Sequence, residues 1–187
     1  MVLDPLGWLC GVSFHRMPKV SWLNRDLMEV CGVTKTRIRI PDNTELRARL
    51  DQEYEDASQV QLCRYALMLA AHILKLIDGS KLNHDTIKEG FWINEQWQEG
   101  NARMHDVRQV SFKIHQMAKA SEDMAVCTAL RVVGHAVATA HMREHAMVAS
   151  DYAVKAICLL YPDCLEAVRN ERLWQIQHLQ EIKRTIE

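Results

Sequence analysis

From residue 42 onward, apolar residues recur at every third or fourth position, which is the spacing of an amphipathic α-helix. The clearest example follows Ser58, which can cap a helix that ends before Gly79. The apolar residues on one face of this segment are Cys63, Ala66, Leu67, Ala70, Ile73, Leu74 and Ile77. Because this pattern continues over most of the chain, an all-α fold is expected.

Residues suited to helix N-termini recur at short intervals along the same region. The last of them is the clearest, since Asp163 and Glu166 have the spacing of a capping box. The predicted helices start at Asp42 or Asn43, Ser58, Asn83 or Asp85, Ala102, Ser121, Arg143 and Asp163. Connections of a few residues favour antiparallel neighbours. We therefore predict an all-α single domain of six to seven mostly antiparallel helices joined by short turns.

The first 41 residues have a less regular pattern. It indicates a short helix between Ser21 and Gly32, and a brief strand or extended linker at residues 36–41. We therefore divide the chain into a poorly defined N-terminal segment, residues 1–41, and a helical domain, residues 42–187.

The N-terminus does not have the composition of a signal peptide, because its apolar residues include Asp4 and Pro5 and lack a basic leader. Met17 and Met28 are alternative natural starts. On that interpretation, residues 1–17 come from a mis-assigned start.

The overall composition argues against several classes of partner and cofactor. With 23 basic and 24 acidic residues, the charge is balanced, so neither nucleic acid nor an anionic membrane is expected as a partner. The six cysteines contain no C-x-x-C pair, which argues against a thiolate zinc site and favours reduced thiols in the cytoplasm. Phosphate-loop and dinucleotide fingerprints are missing from the sequence, so we expect no cofactor.

One motif could bind a catalytic metal. The segment His141-x-x-Glu144-His145 matches the pattern of inverted zinc proteases. On a single helix, His141 and His145 would share one face as ligands, and Glu144 would be the base that activates water. A catalytic zinc also requires a third protein ligand, which no spacing identifies, and only 42 residues follow His145.

The alternative interpretation is that this segment joins two closely packed helices. The surrounding small residues, which permit close approach, are Ala136, Ala138, Ala140, Ala146, Ala149 and Ala153. His141 would then end one helix, and His145 would lie in the first turn of the next. We favour this interpretation over zinc catalysis.

Two other segments have weaker patterns. Trp92 and Trp97 could present aromatic surface to a partner, but residues five apart do not share a helix face, so at least one belongs to the core. The acidic stretch from Asp42 to Asp56 is expected to be a solvated helix face.

The C-terminal half resembles a known family. The similarity lies in "ALRVVGHAVATAHMREHAMVASDYAVKAI", residues 129–157, and "ERLWQIQHL", residues 171–179. These segments resemble the immunity proteins of bacterial polymorphic toxin systems, which are small helical proteins that neutralise a toxin made by the same strain. The similarity is strongest over about residues 129–179. It implies a non-enzymatic cytoplasmic protein whose partner is a cognate protein toxin, and it supplies no catalytic residues.

The two segments that resemble immunity proteins contain six candidate site residues, which are Gly134, His141, His145, Tyr152, Glu171 and Trp174. We expect Gly134 to permit close helix approach, and Tyr152 and Trp174 to act as packing anchors. His141, His145 and Glu171 are expected to share a polar network between the last helices. Two alternatives stay open: the zinc-dependent hydrolase described above, and a helical homo-oligomeric scaffold without a toxin partner.

Overall fold

The computed structural model describes residues 38–77 and 82–185. All of the described residues belong to one compact unit, Val33–Glu187. The predicted helix between Ser21 and Gly32 and the alternative starts therefore lie outside the described residues.

Seven helices make up most of the described chain, in agreement with the predicted all-α fold. They are α1 (Thr44–Glu55), α2 (Gln59–Leu76), α3 (His84–Gln98), α4 (Met104–Ala120), α5 (Met124–Ala138), α6 (His145–Leu160) and α7 (Leu165–Thr185). Residues 38–77 and 82–185 contain no β-strand. None of the helices in these two ranges combines the length and the apolar character required to cross a membrane.

Side-chain caps determine where several helices begin. Asn43 Oδ1 accepts a hydrogen bond from the backbone N–H of Leu46 (2.9 Å) at the start of α1. Ser58 and Gln61 form a reciprocal capping box at the start of α2. Asn83 caps α3 by accepting a hydrogen bond from a backbone N–H of its first turn. These three starts are the ones predicted from the sequence.

Two predicted starts were wrong. Asp123, rather than Ser121, caps α5, because its Oδ1 accepts hydrogen bonds from two backbone N–H groups of the first turn (2.9 and 3.2 Å). Ser121 instead donates its hydroxyl to the Asp123 carbonyl. At the last helix, Asp163 has a φ of 61° and lies one residue before the cap position, which Cys164 occupies.

The centre of the fold is formed by α2, α5 and α6. Helix α5 packs against α2, α3, α4 and α6, whereas α7 packs against α1, α2 and α6. The close packing of α3 on α4 and α5 depends on Gly90, where an added Cβ atom would lie 2.8 Å from Ile114 Cδ1 and 3.0 Å from Val137 Cγ2. Gly90 therefore brings α3 close to its neighbours inside an otherwise regular helix.

Candidate functional site

The His141–His145 segment lies at the junction of two helices. Helix α5 ends at Ala138, and α6 begins at His145. His141 lies in the intervening turn, residues 139–144, which we call the α5–α6 turn. Glu144 is the residue that immediately precedes α6. The motif is therefore divided between a turn and a helix start, whereas the zinc hypothesis requires a single continuous helix.

Arg143 anchors the α5–α6 turn to the end of α1. Its Nη2 atom donates hydrogen bonds to the carbonyl oxygens of Tyr54 (2.7 Å) and Ala57 (3.3 Å). Its guanidinium group also lies over the Tyr54 ring, 4.6 Å from the centroid. A cation at this position compensates the partial negative charge of the α1 C-terminus, so one side chain connects the turn to a distant helix.

Two amides satisfy the carbonyl groups at the C-terminus of α5. Gln59 Nε2 donates to the carbonyls of Thr139 (3.0 Å) and Ala140 (2.8 Å). The fully buried Asn94 donates from Nδ2 to the carbonyl of Val137 (2.9 Å). These contacts matter because the last carbonyls of a helix have no partner within the helix and are costly to bury alone. The end of α5 is thereby fixed to both α2 and α3.

Four imidazoles and a phenol ring pack together beside the α5–α6 turn. The rings of His135 and His145 are stacked with centroids 5.1 Å apart, and their Nδ1 atoms are 3.0 Å apart. His115 packs edge-on against His135 (4.6 Å), and Tyr152 stacks on His135 (5.3 Å). The His141 ring centroid lies 5.8 Å from that of His145. We call these four histidines the histidine cluster.

His115 is the member whose protonation state is best defined. Burial lowers its pKa to about 4, and the charges of Arg131 and His145 lower it further in the same direction. His115 Nδ1 accepts a hydrogen bond from Arg131 Nη1 (3.2 Å), which requires an unprotonated Nδ1. The ring lies directly against Gly134, where an added Cβ atom would come within 2.6 Å of it. Gly134 thus provides the space that the neutral ring occupies.

The donor set around this junction does not fit a catalytic zinc ion. Among the residues that the structure describes, no group of three or more His, Cys, Asp or Glu side chains is arranged to hold a metal ion. Catalytic zinc sites generally use three protein ligands and keep a fourth position for water. The described residues therefore do not support the zinc hydrolase alternative.

The other two candidate residues lie between α2 and α7. The Trp174 ring is stacked between those of His72 (4.1 Å) and His178 (4.0 Å). Glu171 Oε2 lies 3.1 Å from His72 Nε2, and Glu171 Oε1 accepts a hydrogen bond from Gln175 (2.7 Å). The structure thus places Glu171 and Trp174 in this second cluster and His141 and His145 in the histidine cluster, on which Tyr152 stacks.

A buried ionic cluster was missed from the sequence. Arg172, which is fully buried, donates to both carboxylate oxygens of Asp42 (3.0 and 2.6 Å) and to Asp151 (2.8 Å). Arg47 also donates to Asp151 (2.9 Å). Burial alone would lower the pKa of Arg172, but hydrogen bonds and charges from Asp42 and Asp151 outweigh burial and raise it. The cluster joins α1, α6 and α7 through charge-assisted hydrogen bonds.

The predicted solvated face of α1 therefore needs correction. Arg47 and Asp51 are buried and form a salt bridge of 2.9 Å along the helix. In the acidic stretch from Asp42 to Asp56, some charged side chains are therefore buried in ion pairs and others are solvated. One indication that Arg172 is important was present in the sequence, because Glu171-Arg172 lies within the segment that resembles immunity proteins.

Comparison with known proteins agrees with that resemblance. A family model described as "Imm-5 like putative immunity protein" matches residues 52–182, a range that contains the histidine cluster, the stack around Trp174 and most of the seven helices. Searches of curated proteins and of solved structures found no match. Because the matched residues make up well over half of the sequence, this chain belongs to the Imm-5 like immunity protein family.

Proposed function

We propose that this protein is a cytoplasmic immunity protein that binds and neutralises a cognate bacterial toxin without catalysing a reaction. The observation that carries the proposal is the family match over residues 52–182. It agrees with the geometry of the His141–His145 segment, which lies across a turn and a helix start and not on the single continuous helix of a zinc hydrolase.

The packing of the fold is suited to binding with little rearrangement. Arg143, Gln59 and Asn94 tie the α5–α6 turn and the end of α5 to three other helices. Helices connected in this way present a preformed surface, and a preformed surface loses less conformational entropy on binding than a flexible one. Neutralisation then requires that the surface block the toxin, with one immunity protein bound to each toxin molecule.

The proposal is tested by co-expression with each polymorphic toxin domain encoded in the source genome. We expect one toxin to be neutralised, so that growth is restored, and we expect that toxin to co-purify with this chain. Failure of rescue and of complex formation across all these toxin domains would overturn the proposal.

Stoichiometry separates a binder from an enzyme. When the purified protein is titrated into an assay of the toxin that it neutralises, inhibition should become complete near an equimolar ratio. Complete inhibition by a small fraction of an equivalent would show turnover and contradict a non-enzymatic mechanism. Elemental analysis of the wild type and the His141→Ala variant provides a further check, because bound zinc that disappears in the variant would support the hydrolase alternative.

A further inference from the structure

Helices α2 and α3 border an open groove that is lined in part by apolar side chains. Leu67, Met68 and Ala71 line it from α2, and Phe91 lines it from α3. Its volume of about 460 Å³ lies in the range of cavities that hold a ligand or several side chains of a partner. We call it the α2–α3 groove. An open channel between two helices is the geometry in which an amphipathic helix can place its apolar face.

The rim of the α2–α3 groove has a net negative charge, since two carboxylates line it together with one guanidinium group, that of Arg64. Glu95 and Glu99 line it at the C-terminal end of α3, where the helix dipole already disfavours anions. The two carboxylates are also four residues apart, so they repel each other on one face. Arg64, on the α2 side of the groove, donates to the side-chain amide of Gln98 (3.2 Å). A cation supplied by a partner would relieve this repulsion.

An exposed tryptophan flanks the same rim. Trp92 is 57% exposed, whereas Trp97, the other tryptophan of α3, is partly buried and packs against the core. Helical geometry places Trp92 one turn before Glu95, beside the stripe of α3 that lines the groove. Tryptophan is enriched among the residues that dominate binding energy at protein interfaces. Its exposure beside a groove with apolar and acidic lining indicates a contact surface.

We propose that the α2–α3 groove and Trp92 bind a basic amphipathic helix of the toxin. The proposal rests on the toxin-binding function proposed above. The apolar face of that helix packs on Leu67, Met68 and Phe91, and a lysine or arginine of the toxin pairs with Glu95 and Glu99. Charge complementarity favours this occupant, because an acidic helix would add negative charge to a rim where two carboxylates already outnumber one guanidinium group.

The first test uses a designed peptide as the probe and does not depend on identifying the toxin. The probe is an amphipathic leucine–lysine helix of about 18 residues, and its control has glutamate in place of every lysine. With 13C-methyl-labelled methionine, the lysine peptide should shift the Met68 signal, assigned by Met68→Leu, and the glutamate peptide should not. Equal binding of both peptides, or binding that leaves Met68 unchanged, would overturn the proposal.

Matched variants locate the contact on the full chain. Glu95→Lys/Glu99→Lys should weaken binding of the lysine peptide at least about tenfold, or about 1.4 kcal/mol. Its control, Glu45→Lys/Glu122→Lys, changes the net charge equally at exposed residues of α1 and of the connection between α4 and α5. Trp92→Ala should also weaken binding, and its control is Phe112→Ala, since Phe112 is 51% exposed on α4. Equal losses in the variants and their controls would contradict the assignment of this surface.

The toxin itself distinguishes failure of this inference from failure of the proposed function. If a toxin is neutralised by the wild type and equally well by the Trp92 and Glu95/Glu99 variants, the toxin-binding function stands and the assigned surface is wrong. If no toxin is neutralised but the lysine peptide binds at Met68 with the expected variant effects, the surface is supported and the toxin-binding function is wrong.

Discussion

At Gly134, the absence of a side chain determines how closely α5 approaches α4. An added Cβ atom would lie 2.6 to 2.9 Å from three atoms of the His115 ring. We expect Gly134→Ala to lower the free energy of unfolding by about 1–3 kcal/mol, because a well-packed site accommodates an extra methyl group only with strain. This loss should appear even though alanine is the better helix former by about 1 kcal/mol. Urea denaturation measures it.

The control is the same substitution in a His115→Ala background. Without the imidazole, the added methyl group has space, so Gly134→Ala should be neutral or stabilising there. A double-mutant cycle isolates this contact from the cost of removing the ring itself. An equal loss in both backgrounds would show that Gly134 is required for a reason other than contact with His115.

His115 should also make stability depend on pH. Its pKa falls from 6.5 to about 4 in the folded protein, first because of burial. Between these two values the unfolded chain binds a proton that the folded chain does not, so the free energy of unfolding decreases as the pH falls. We expect a loss of about 1–2 kcal/mol from this residue between pH 7.5 and 5. Chemical denaturation at the two pH values measures the loss.

The matching variant for the pH experiment is His115→Gln, which keeps a polar side chain but cannot be protonated. The difference in stability between pH 7.5 and 5 should be smaller in this variant than in the wild type. Other histidines contribute to both proteins and largely cancel in the comparison. Identical pH dependence in the two proteins would show that His115 is not held neutral by its surroundings.

For individual helices, local sequence predicted most starts but not all of them. Asn43 and Ser58 cap their helices as expected, because a cap depends on contacts within three or four residues. At Ser121 and Asp123 two possible caps lie close together, and the choice between them depends on how the chain turns before α5. Asp163 has the spacing of a capping box but adopts a left-handed conformation, which the spacing cannot reveal.

The contacts of the α5–α6 turn could not be predicted from the local sequence. The small residues around His141 predicted a junction between helices, but the partner of Arg143 lies 89 positions earlier in the chain. In the sequence, Arg143 marked only the predicted start of a helix within the zinc-like motif. The folded structure shows that Arg143 binds carbonyl groups at the end of α1. It therefore connects the α5–α6 turn to a helix that is far away in the sequence.

Arg143→Ala should therefore loosen both the turn and the end of α1. We expect a loss of about 1–3 kcal/mol, since the substitution removes a charged donor from the partly buried carbonyl groups at the end of α1. Hydrogen exchange should increase at the C-terminal end of α1 and around residues 139–144. Arg143→Lys is the matched variant, because lysine keeps the charge but lacks the planar group that lies over Tyr54. Full retention of stability by Arg143→Ala would contradict this role.

Over the whole molecule, the buried ionic cluster joins parts of the chain that are far apart in sequence. Asp42, just before α1, contacts Arg172 of α7 across 130 positions, and Asp151 of α6 lies between them and Arg47. Charged residues are rarely buried fully unless paired, so the sequence pattern alone assigned Arg47 and Asp51 to a solvated face. The number of helices could be predicted from the sequence, but this connection between the first and last helices could not.

Arg172 and Arg169 provide a paired test of this connection, since they lie three positions apart on α7. Arg172→Met leaves Asp42 and Asp151 without their shared cation, so we expect a loss of about 3–5 kcal/mol. Arg169 is 51% exposed and pairs with the exposed Glu166, so Arg169→Met should cost less than about 1 kcal/mol. Urea denaturation compares the two variants, and hydrogen exchange should show α1 loosened only in Arg172→Met. Similar losses would mean that the cluster does not hold α1 against α7.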